Sequence, residues 1–315
     1  MHGGGNRLTW DDIPAGVRAE IEDRLGAAVS DAESMPGGFT PGLAAALTDT
    51  SGKRTFVKAI TANTTPGGPA IYRREAAIAS ALPAATPAPR LLWWFEEQEW
   101  VVLAFEQVEG RMPDVRRPED LGLVLRAYTQ LSSMLTPAPV DVPTFAEAFH
   151  HRFGSWQAMY ESETPVVLAA SAEWVPAARE QLAALESGWM RASQGTTLLH
   201  GDLRADNMLI TKAGKVVAVD WPEACIGASW VDLVLALPSF ALAGIDPDPV
   251  LRGHPLTRRV ADEDIDALVA AVAGFFISRS LLPPPAGLPT VRQFQRAQGE
   301  AALGWLLRRN PLLAP

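Results

Sequence analysis

The segment from Leu199 to Asp220 constrains the fold and the chemistry of this chain more than any other stretch. Two apolar runs, Met208–Thr211 and Val216–Val219, flank the four-residue loop Lys-Ala-Gly-Lys, and this pattern predicts a β-hairpin. Folding the hairpin symmetrically about its loop places Asn207 opposite Asp220, where the Cβ atoms of paired residues lie roughly 5 Å apart. A neutral oxygen ligand and a carboxylate would then meet at the open end of the hairpin.

Oxygen ligands of this kind bind hard divalent cations such as Mg²⁺, which carry the phosphates of a substrate. Asp202 lies five residues before Asn207, on the loop that enters the same end of the hairpin. Enzymes that transfer phosphoryl groups use one carboxylate for proton transfer beside oxygen ligands that hold the metal ion. The alternative is a structural hairpin with polar ends, because Asp and Asn are common turn residues.

Composition excludes several classes of function. The chain has 315 residues, 48% of them hydrophobic, so it can bury a sizeable core and is expected to form two domains. The net charge of −9 is spread over both halves, so neither nucleic acid nor a membrane is an expected partner. Cys225 is the only cysteine, and the longest apolar stretch, Ala267–Ser278, is too short to cross a bilayer. We therefore expect a cytoplasmic protein, and no pattern indicates its oligomeric state.

Strand patterns fill the first hundred residues, whereas helical patterns dominate the rest. Strands are expected at Ala27–Ser34, Leu43–Thr48, Thr55–Ile60, Leu91–Phe95 and Trp100–Phe105, with helices over Ile13–Leu25 and Tyr72–Leu82. Later helices are expected at Glu119–Leu135, Thr144–Tyr160, Ala172–Ala192, Ser229–Leu237 and Asp262–Ser278. This change predicts an α+β fold with two lobes, residues 1–107 and residues 108–315, and a ligand site in the cleft between them.

The run His200-Gly201-Asp202-Leu203-Arg204-Ala205-Asp206-Asn207 resembles the catalytic loop of the aminoglycoside phosphotransferase and choline kinase family. The resemblance implies a bilobal protein-kinase-like fold, with a strand-rich nucleotide-binding lobe followed by a helix-rich lobe for catalysis and acceptor binding. It also implies that Asp202 deprotonates the acceptor hydroxyl, while Asn207 and Asp220 hold Mg²⁺. Arg204 would stabilise charge in the transition state, although a solvated loop arginine is an equal alternative.

Lys58 is one of only four lysines and stands within the strand pattern Thr55–Ile60. A lysine there needs an anionic partner, because burying an unpaired ammonium is costly. In kinase-like folds a strand lysine pairs with a helix glutamate and grips the α- and β-phosphates of the nucleotide, and Glu75 would be that glutamate. The alternatives are an edge-strand lysine whose amine reaches solvent, and a Glu75 that pairs with Arg73 or Arg74.

A glycine-rich loop between two expected strands is the third candidate element of a nucleotide site. Backbone N–H groups around Gly37, Gly38 and Thr40 would cover the phosphates. The loop lacks the regular Gly-x-Gly-x-x-Gly spacing, and Pro41 removes one donor. An ordinary turn is therefore an almost equal interpretation.

The segment Phe105–Gly110 resembles the hinge of the same family, where main-chain groups bind adenine. The carbonyl of Glu106 and the N–H of Val108 would form that pair. Backbone recognition leaves no side-chain signature, so ATP is the expected nucleotide and GTP remains an alternative.

The stretch after the hairpin indicates a small acceptor. Trp221 and Pro222 follow Asp220 where protein kinases have Phe-Gly, and only eleven residues separate Asp220 from Asp232. This spacing leaves no room for a long activation segment, which is also the platform for a peptide substrate. Asp232 would either bond back to the catalytic loop, as in the family, or simply be an acid that suits the first turn of a helix.

The sequence thus predicts an ATP-dependent O-phosphotransferase that uses Mg²⁺ and transfers the γ-phosphoryl group to a hydroxyl of a small molecule. Acids in the second half would suit a cationic antibiotic such as an aminoglycoside, which would make the protein a resistance kinase; ordinary solvated acids explain them equally well. A metabolic kinase for choline or homoserine, an inactive nucleotide-binding scaffold and a metal-dependent hydrolase remain alternatives. The acids in question are Glu223, Asp246, Asp248, Asp262, Glu263, Asp264 and Asp266.

Overall fold

The computed structural model of the chain describes residues 7–35, 41–162, 174–285 and 287–313. The chain folds into two compact units, each assembled from three stretches of sequence. The first unit comprises Met1–Arg111, Leu209–Pro222 and Pro284–Val291, and the second comprises Met112–Met208, Glu223–Pro283 and Arg292–Pro315. The expected boundary between residues 107 and 108 stays a prediction.

An antiparallel sheet of five strands forms the centre of the first unit. Its strands are β1 (Val29–Ser34), β2 (Leu43–Asp49), β3 (Arg54–Thr61), β4 (Leu91–Glu97) and β5 (Trp100–Glu106), in the order β1-β2-β3-β5-β4. All five expected strands are confirmed, with ends that differ from the expected ones by no more than two residues. In the register of the sheet, Lys58 lies opposite Ala44 on one side and Leu103 on the other.

Two helices cover the two faces of this sheet. The first helix, α1 (Ala15–Leu25), buries Val17 and Ile21 against one face, and the second, α2 (Gly68–Ala81), buries Tyr72 and Ala76 against the other. Because both faces are covered, β5 is apolar along nearly its whole length instead of alternating. Each fully buried aliphatic side chain of this kind stabilises the unit by about 1.5–3 kcal/mol.

The predicted hairpin is confirmed. Strands β8 (Met208–Thr211) and β9 (Val216–Ala218) are neighbours in a small sheet that also contains β6 (Gly110–Arg111), in the order β6-β8-β9. At Gly110 an added Cβ would lie 2.9 Å from the carbonyl oxygen of Ile210, so the close approach of β6 to β8 requires glycine.

Helices dominate the second unit, as the sequence predicts. They are α3 (Pro118–Met134), α4 (Phe145–Phe149), α5 (Ser155–Glu161), α6 (Arg179–Glu186), α7 (Trp189–Ala192), α8 (Val231–Leu242), α9 (Pro247–Gly253), α10 (Asp262–Ser280) and α11 (Val291–Arg309). One short antiparallel pair, β7 (Thr197–Leu199) with β10 (Cys225–Gly227), lies beside them. Within the described ranges, no helix combines the length and apolar character needed to cross a membrane.

The predictions of a single helix over Thr144–Tyr160 and of another over Ala172–Ala192 are wrong. The chain forms α4 and α5 in the first segment, with a break at Gly154, and α6 and α7 in the described part of the second. Gly154 has a φ of +90°, which a residue with a side chain rarely adopts. The buried carboxylate of Glu186 accepts hydrogen bonds from the N–H groups of four successive residues, 154–157, at 2.8–3.3 Å. This carboxylate satisfies the free backbone donors at the start of α5 and fixes the break.

Candidate active site

The ammonium of Lys58 lies between two carboxylates of the first unit. Its Nζ is 2.5 Å from Oε2 of Glu75 on α2 and 2.7 Å from Oδ1 of Asp220. Lys58 is only 9% exposed and Glu75 only 3%, so the pairing is buried and an edge-strand lysine reaching solvent is excluded. Arg73 pairs instead with Glu96, at 2.7 Å.

Burial and charge act against each other in this cluster. Burial lowers the pKa of Lys58, but the carboxylates of Asp220 and Glu75 outweigh it and raise the pKa above its ordinary value, so the ammonium stays charged. Burial raises the pKa of Glu75 to about 7, with Lys58 opposing this effect and Asp220 adding to it. The ring of Tyr72 lies 5.0 Å from the Lys58 ammonium and supplies a cation–π contact that the sequence does not indicate.

Asp220 adopts an unusual backbone conformation, with a φ of +70°. Aspartate tolerates the left-handed region better than most residues, but still at a cost of about 1–2 kcal/mol. Strain of this kind persists where the surrounding structure requires it, most often at functional sites. The Asp220 side chain remains 45% exposed in this conformation, while its Oδ1 accepts a hydrogen bond from the Lys58 ammonium.

The predicted catalytic loop, residues 200–207, lies in the second unit, and hydrogen bonds to its backbone hold it in place. The carboxylate of Asp232, on α8, accepts from the N–H groups of His200 and Gly201 at 2.8 and 2.9 Å. The hydroxyl of Tyr128, on α3, donates to the carbonyl of Leu203. The expected bond from Asp232 back to the loop is therefore confirmed, whereas Tyr128, 75 residues earlier in the chain, carries no sequence signal for its role.

Both carboxylate oxygens of Asp202 are held by side chains of the same loop. Oδ1 is 2.5 Å from Nη1 of Arg204, and Oδ2 is 3.1 Å from Nδ2 of Asn207. Arg204 also pairs with Asp206 at 2.9 Å and lies 5.3 Å from the ring centre of Phe294 on α11. With 14% of its side chain exposed, Arg204 is not a solvated loop arginine, whereas the Asp202 side chain is 39% exposed.

Asn207 and Asp220 supply the kinds of atom that Mg²⁺ prefers, an amide oxygen and a carboxylate. The amide nitrogen of Asn207 donates to the carbonyl and carboxylate of Asp202, which leaves the side-chain oxygen of Asn207 to act as a ligand. Asn207 belongs to the second unit and Asp220 to the first, so their joint binding of Mg²⁺ stays a prediction. In the part of the chain that the structure describes, no group of three or more His, Cys, Asp or Glu residues is arranged to hold a metal ion.

The remaining nucleotide-binding predictions concern backbone groups. Glu106 is the last residue of β5, where its N–H donates to the carbonyl of Arg90 at 3.0 Å and its side chain pairs with the guanidinium of Arg90. Val108 lies half-buried between β5 and β6. The predicted phosphate loop, with Gly37, Gly38 and Thr40, lies outside the described residues.

Most of the acids expected to attract a cationic acceptor are engaged in ion pairs. Arg309, near the end of α11, binds three of them: it is 3.4 Å from Asp248, 2.7 Å from Asp262 and in close contact with Asp266. One positive charge is thus shared among three carboxylates, so this side of the second unit keeps a net negative charge. The other pairs are Arg191 with Asp264, Arg308 with Asp246 and Arg152 with Glu223.

Comparisons with known proteins identify the family and the fold of this chain. The phosphotransferase enzyme family matches residues 44–254. Choline kinase LicA from Streptococcus pneumoniae superposes with a TM-score of 0.62 and 17% identity, covering 90% of this chain and 97% of that one. A thermostable mutant of aminoglycoside phosphotransferase APH(4)-Ia was solved in a ternary complex with AMP-PNP and hygromycin B. It superposes with a TM-score of 0.61 at 15% sequence identity, covering 94% of this chain and 99% of that one.

Aminoglycoside phosphotransferase from Alicyclobacillus acidocaldarius gives a TM-score of 0.56 at 16% identity, covering 90% of this chain and 92% of that one. No curated protein matches the chain in sequence. At such low identities the structural likenesses show the fold, which is the α+β kinase-like fold of small-molecule kinases. The match to more than half of the sequence shows the family: this chain belongs to the phosphotransferase enzyme family and is a small-molecule kinase.

Proposed function

We propose that this protein transfers the γ-phosphoryl group of ATP, or of GTP, to a hydroxyl of a small molecule, with Asp202 as the base. The observation that carries the proposal is the environment of Asp202, whose carboxylate is fixed by Arg204 and Asn207 yet remains 39% exposed. A carboxylate that is both fixed and accessible can accept the proton of a hydroxyl within hydrogen-bonding distance.

In the proposed step, the acceptor oxygen bonds to the γ-phosphorus while the bond from that phosphorus to the β,γ-bridging oxygen breaks. The hydroxyl proton passes to Asp202, and the nucleoside diphosphate leaves with the bridging oxygen. Arg204, ion-paired with Asp202 and Asp206, stabilises negative charge on the transferring group.

The first unit supplies the nucleotide contacts in this proposal. Lys58 binds the α- and β-phosphates, and Glu75 keeps its ammonium in position. Asn207 and Asp220 would hold Mg²⁺, which when bound neutralises phosphate charge. Two similar structures support a nucleotide: the APH(4)-Ia complex contains AMP-PNP, and LicA was also solved with AMP.

Two classes of acceptor remain candidates for this reaction. The APH(4)-Ia complex contains the antibiotic hygromycin B, and LicA is named as a choline kinase. An aminoglycoside acceptor would make the protein a resistance kinase, whereas an alcohol such as choline or homoserine would make it a metabolic enzyme. Arg309 pairs with Asp248 and Asp262, but its one positive charge does not balance the three carboxylates that it contacts, so these ion pairs do not decide between the two classes.

The decisive experiment measures ADP and GDP release against a panel of hydroxyl-bearing antibiotics and metabolic alcohols. Asp202→Asn should lower acceptor-dependent release by about 100- to 10,000-fold, the usual contribution of a general base, while nucleotide affinity stays unchanged. Asp141→Asn, on an exposed loop, is the matched control and should behave as wild type. Wild-type turnover by Asp202→Asn would disprove the assignment of the base.

Other outcomes separate the remaining functions. Nucleotide binding without turnover of any acceptor would favour the inactive scaffold. Phosphatase activity that consumes no nucleoside triphosphate would favour the hydrolase. Absence of nucleotide binding would refute the proposal as a whole.

A further inference from the structure

A short stretch before α1 extends the five-stranded sheet of the first unit. Leu8 forms an isolated parallel bridge with Leu43, at the start of β2. Since Leu43 pairs on its other side with Ala59 of β3, Leu8 lies on the side of β2 that faces β1. The pairing of β1 with β2 ends at Ser34, so the stretch around Leu8 takes the place beside β2 that β1 leaves.

The bridge also sets the face of the sheet on which Arg7 lies. Leu8 packs, together with Leu43, in the apolar cluster on the face that α1 covers. Successive side chains of an extended segment point to opposite faces, so Arg7 points to the face that α2 covers. Lys58 lies on that same face, where its ammonium contacts Glu75 of α2. Arg7 and Lys58 are therefore two cations on one face of the sheet.

The register of the sheet gives the separation of these two cations. In the parallel bridge Arg7 is level with Gly42, whereas Lys58 is level with Ala44. Two strand spacings of about 4.8 Å and an offset of two residues, about 7 Å, separate their Cα atoms by about 12 Å. Gly42 and Ala44, the β2 residues between them, carry at most a methyl group. Side chains as long as those of arginine and lysine can bind neighbouring phosphates of one nucleotide across this distance.

Arg7 lacks a partner of its own. Among the described residues it makes no ion pair and no hydrogen bond, although it is half-buried. Burial lowers the pKa of Arg7, and Tyr72 and Asp220 oppose this effect electrostatically, which agrees with a position on the α2 face. A partly buried guanidinium without a counterion favours the binding of an anion, and it can form bidentate hydrogen bonds with a phosphate.

The strands also give the order of the nucleotide contacts along the sheet. Glu106, the residue predicted to bind adenine, lies opposite Thr55 of β3. Lys58 is three residues further along β3, about 10 Å, and Arg7 is level with Ile60, two residues beyond Lys58. A nucleotide with its adenine at Glu106 and its α- and β-phosphates at Lys58 would therefore reach Arg7 with its γ-phosphate.

We propose that Arg7 binds the γ-phosphate of the nucleotide, beside the contact of Lys58 with the α- and β-phosphates. The inference rests on the proposed function and adds to the nucleotide site a residue that no motif of the sequence indicates. Arg7 is a specificity-determining residue in this proposal, because it favours the substrate triphosphate over the product diphosphate.

The test compares nucleotides that differ in their number of phosphates. Binding of AMP, ADP and AMP-PNP to the full chain is measured by titration calorimetry with Mg²⁺ present. Arg7→Gln removes the charge, whereas Arg7→Lys keeps it without the bidentate geometry. The matched control is Arg18→Gln, which removes the same charge from α1 on the other face of the sheet, where Arg18 lies 3.4 Å from the exposed Asp11. Urea denaturation of each variant verifies that it is folded.

We expect Arg7→Gln to weaken the binding of AMP-PNP by about 10- to 100-fold, the contribution of charge-assisted hydrogen bonds. Its affinities for ADP and AMP should stay within about threefold of the wild-type values. Arg7→Lys should show a smaller loss that is again confined to AMP-PNP, and it provides the same comparison if Arg7→Gln is unfolded. Arg18→Gln should bind all three nucleotides as the wild-type protein does.

Two results would overturn the inference: an unchanged affinity of Arg7→Gln for AMP-PNP, or equal losses of affinity for ADP and AMP-PNP. Its failure is distinct from failure of the proposed function. Wild-type turnover of an acceptor, with an unchanged affinity of Arg7→Gln for AMP-PNP, would refute only the role of Arg7. A loss confined to AMP-PNP, in a protein that phosphorylates no acceptor, would support the role of Arg7 and refute only the phosphotransfer.

Discussion

Replacing Gly201 by alanine tests how tightly the catalytic loop is packed. Gly201 has a φ of +81°, and an alanine in this region costs about 1–2 kcal/mol. The new Cβ would also lie 2.3 Å from the carbonyl oxygen of Glu223, a backbone atom that must move. Such overpacking typically costs about 1–3 kcal/mol. We expect Gly201→Ala to lower the free energy of unfolding by about 2–5 kcal/mol in total.

Gly244 provides the matched control, because it lies in the same unit with a φ of +86° and no atom within 4 Å of its added Cβ. Gly244→Ala should therefore incur only the conformational cost of about 1–2 kcal/mol. Urea denaturation of both variants isolates the contribution of the contact with Glu223. Displacing Asp202 by about 1 Å should also lower turnover by about 100-fold in Gly201→Ala alone. Equal destabilisation by the two substitutions would refute the packing argument.

Two further predictions concern buried carboxylates. Glu75→Gln removes one of the two carboxylates that the Lys58 ammonium contacts within the described residues. We expect it to lower the free energy of unfolding, measured in urea, by about 1–3 kcal/mol. Glu96→Gln, in an exposed ion pair, should lower it by less than about 1 kcal/mol, and equal effects would contradict the burial argument. Burial raises the pKa of Glu186 to about 7 from an ordinary 4.5, with its four backbone donors opposing the shift, so the protonated carboxyl is favoured in the folded state. The contribution of Glu186 to stability is therefore complete below about pH 4.5 and is lost as the pH rises through about 7. The free energy of unfolding should fall more between pH 5 and pH 8 in the wild-type protein than in Glu186→Gln. Parallel pH profiles of the two proteins would disprove this prediction.

The sheet of the first unit could be predicted because its strands show apolar runs bounded by turn residues. The second unit was harder to predict. The helix α9 begins at Pro247 and contains Pro249, which suggests a loop, although proline is tolerated in the first turn of a helix. The amphipathic α11 carries many Arg and Gln residues, yet it buries Trp305 and Leu306 completely. In both cases tertiary packing outweighs the local signal.

In the candidate site, contacts between residues close in sequence could be predicted, whereas contacts between distant residues could not. The pairing of Lys58 with Glu75 could be predicted, because a charged residue inside an apolar strand needs a partner nearby. The second partner, Asp220, lies 162 residues away, and its sequence context indicates only a role in binding Mg²⁺ together with Asn207. Phe294, whose ring lies against the Arg204 guanidinium, is also far from it in sequence and belongs to no motif. Contacts of this kind depend on the tertiary fold and leave no periodic pattern.

Because each unit combines three stretches that are distant in sequence, the first unit is completed late during synthesis of the chain. The first unit includes Leu209–Pro222, which contains Asp220, and Pro284–Val291. The ribosome delivers both stretches long after the five-stranded sheet has emerged, and chains are made at about 5–20 residues per second. The carboxylate of Asp220 therefore becomes available to the Lys58 ammonium only after more than 150 further residues have been added. A nascent chain that stops before Asp220 would carry a completed sheet whose buried cation lacks half of its compensating charge.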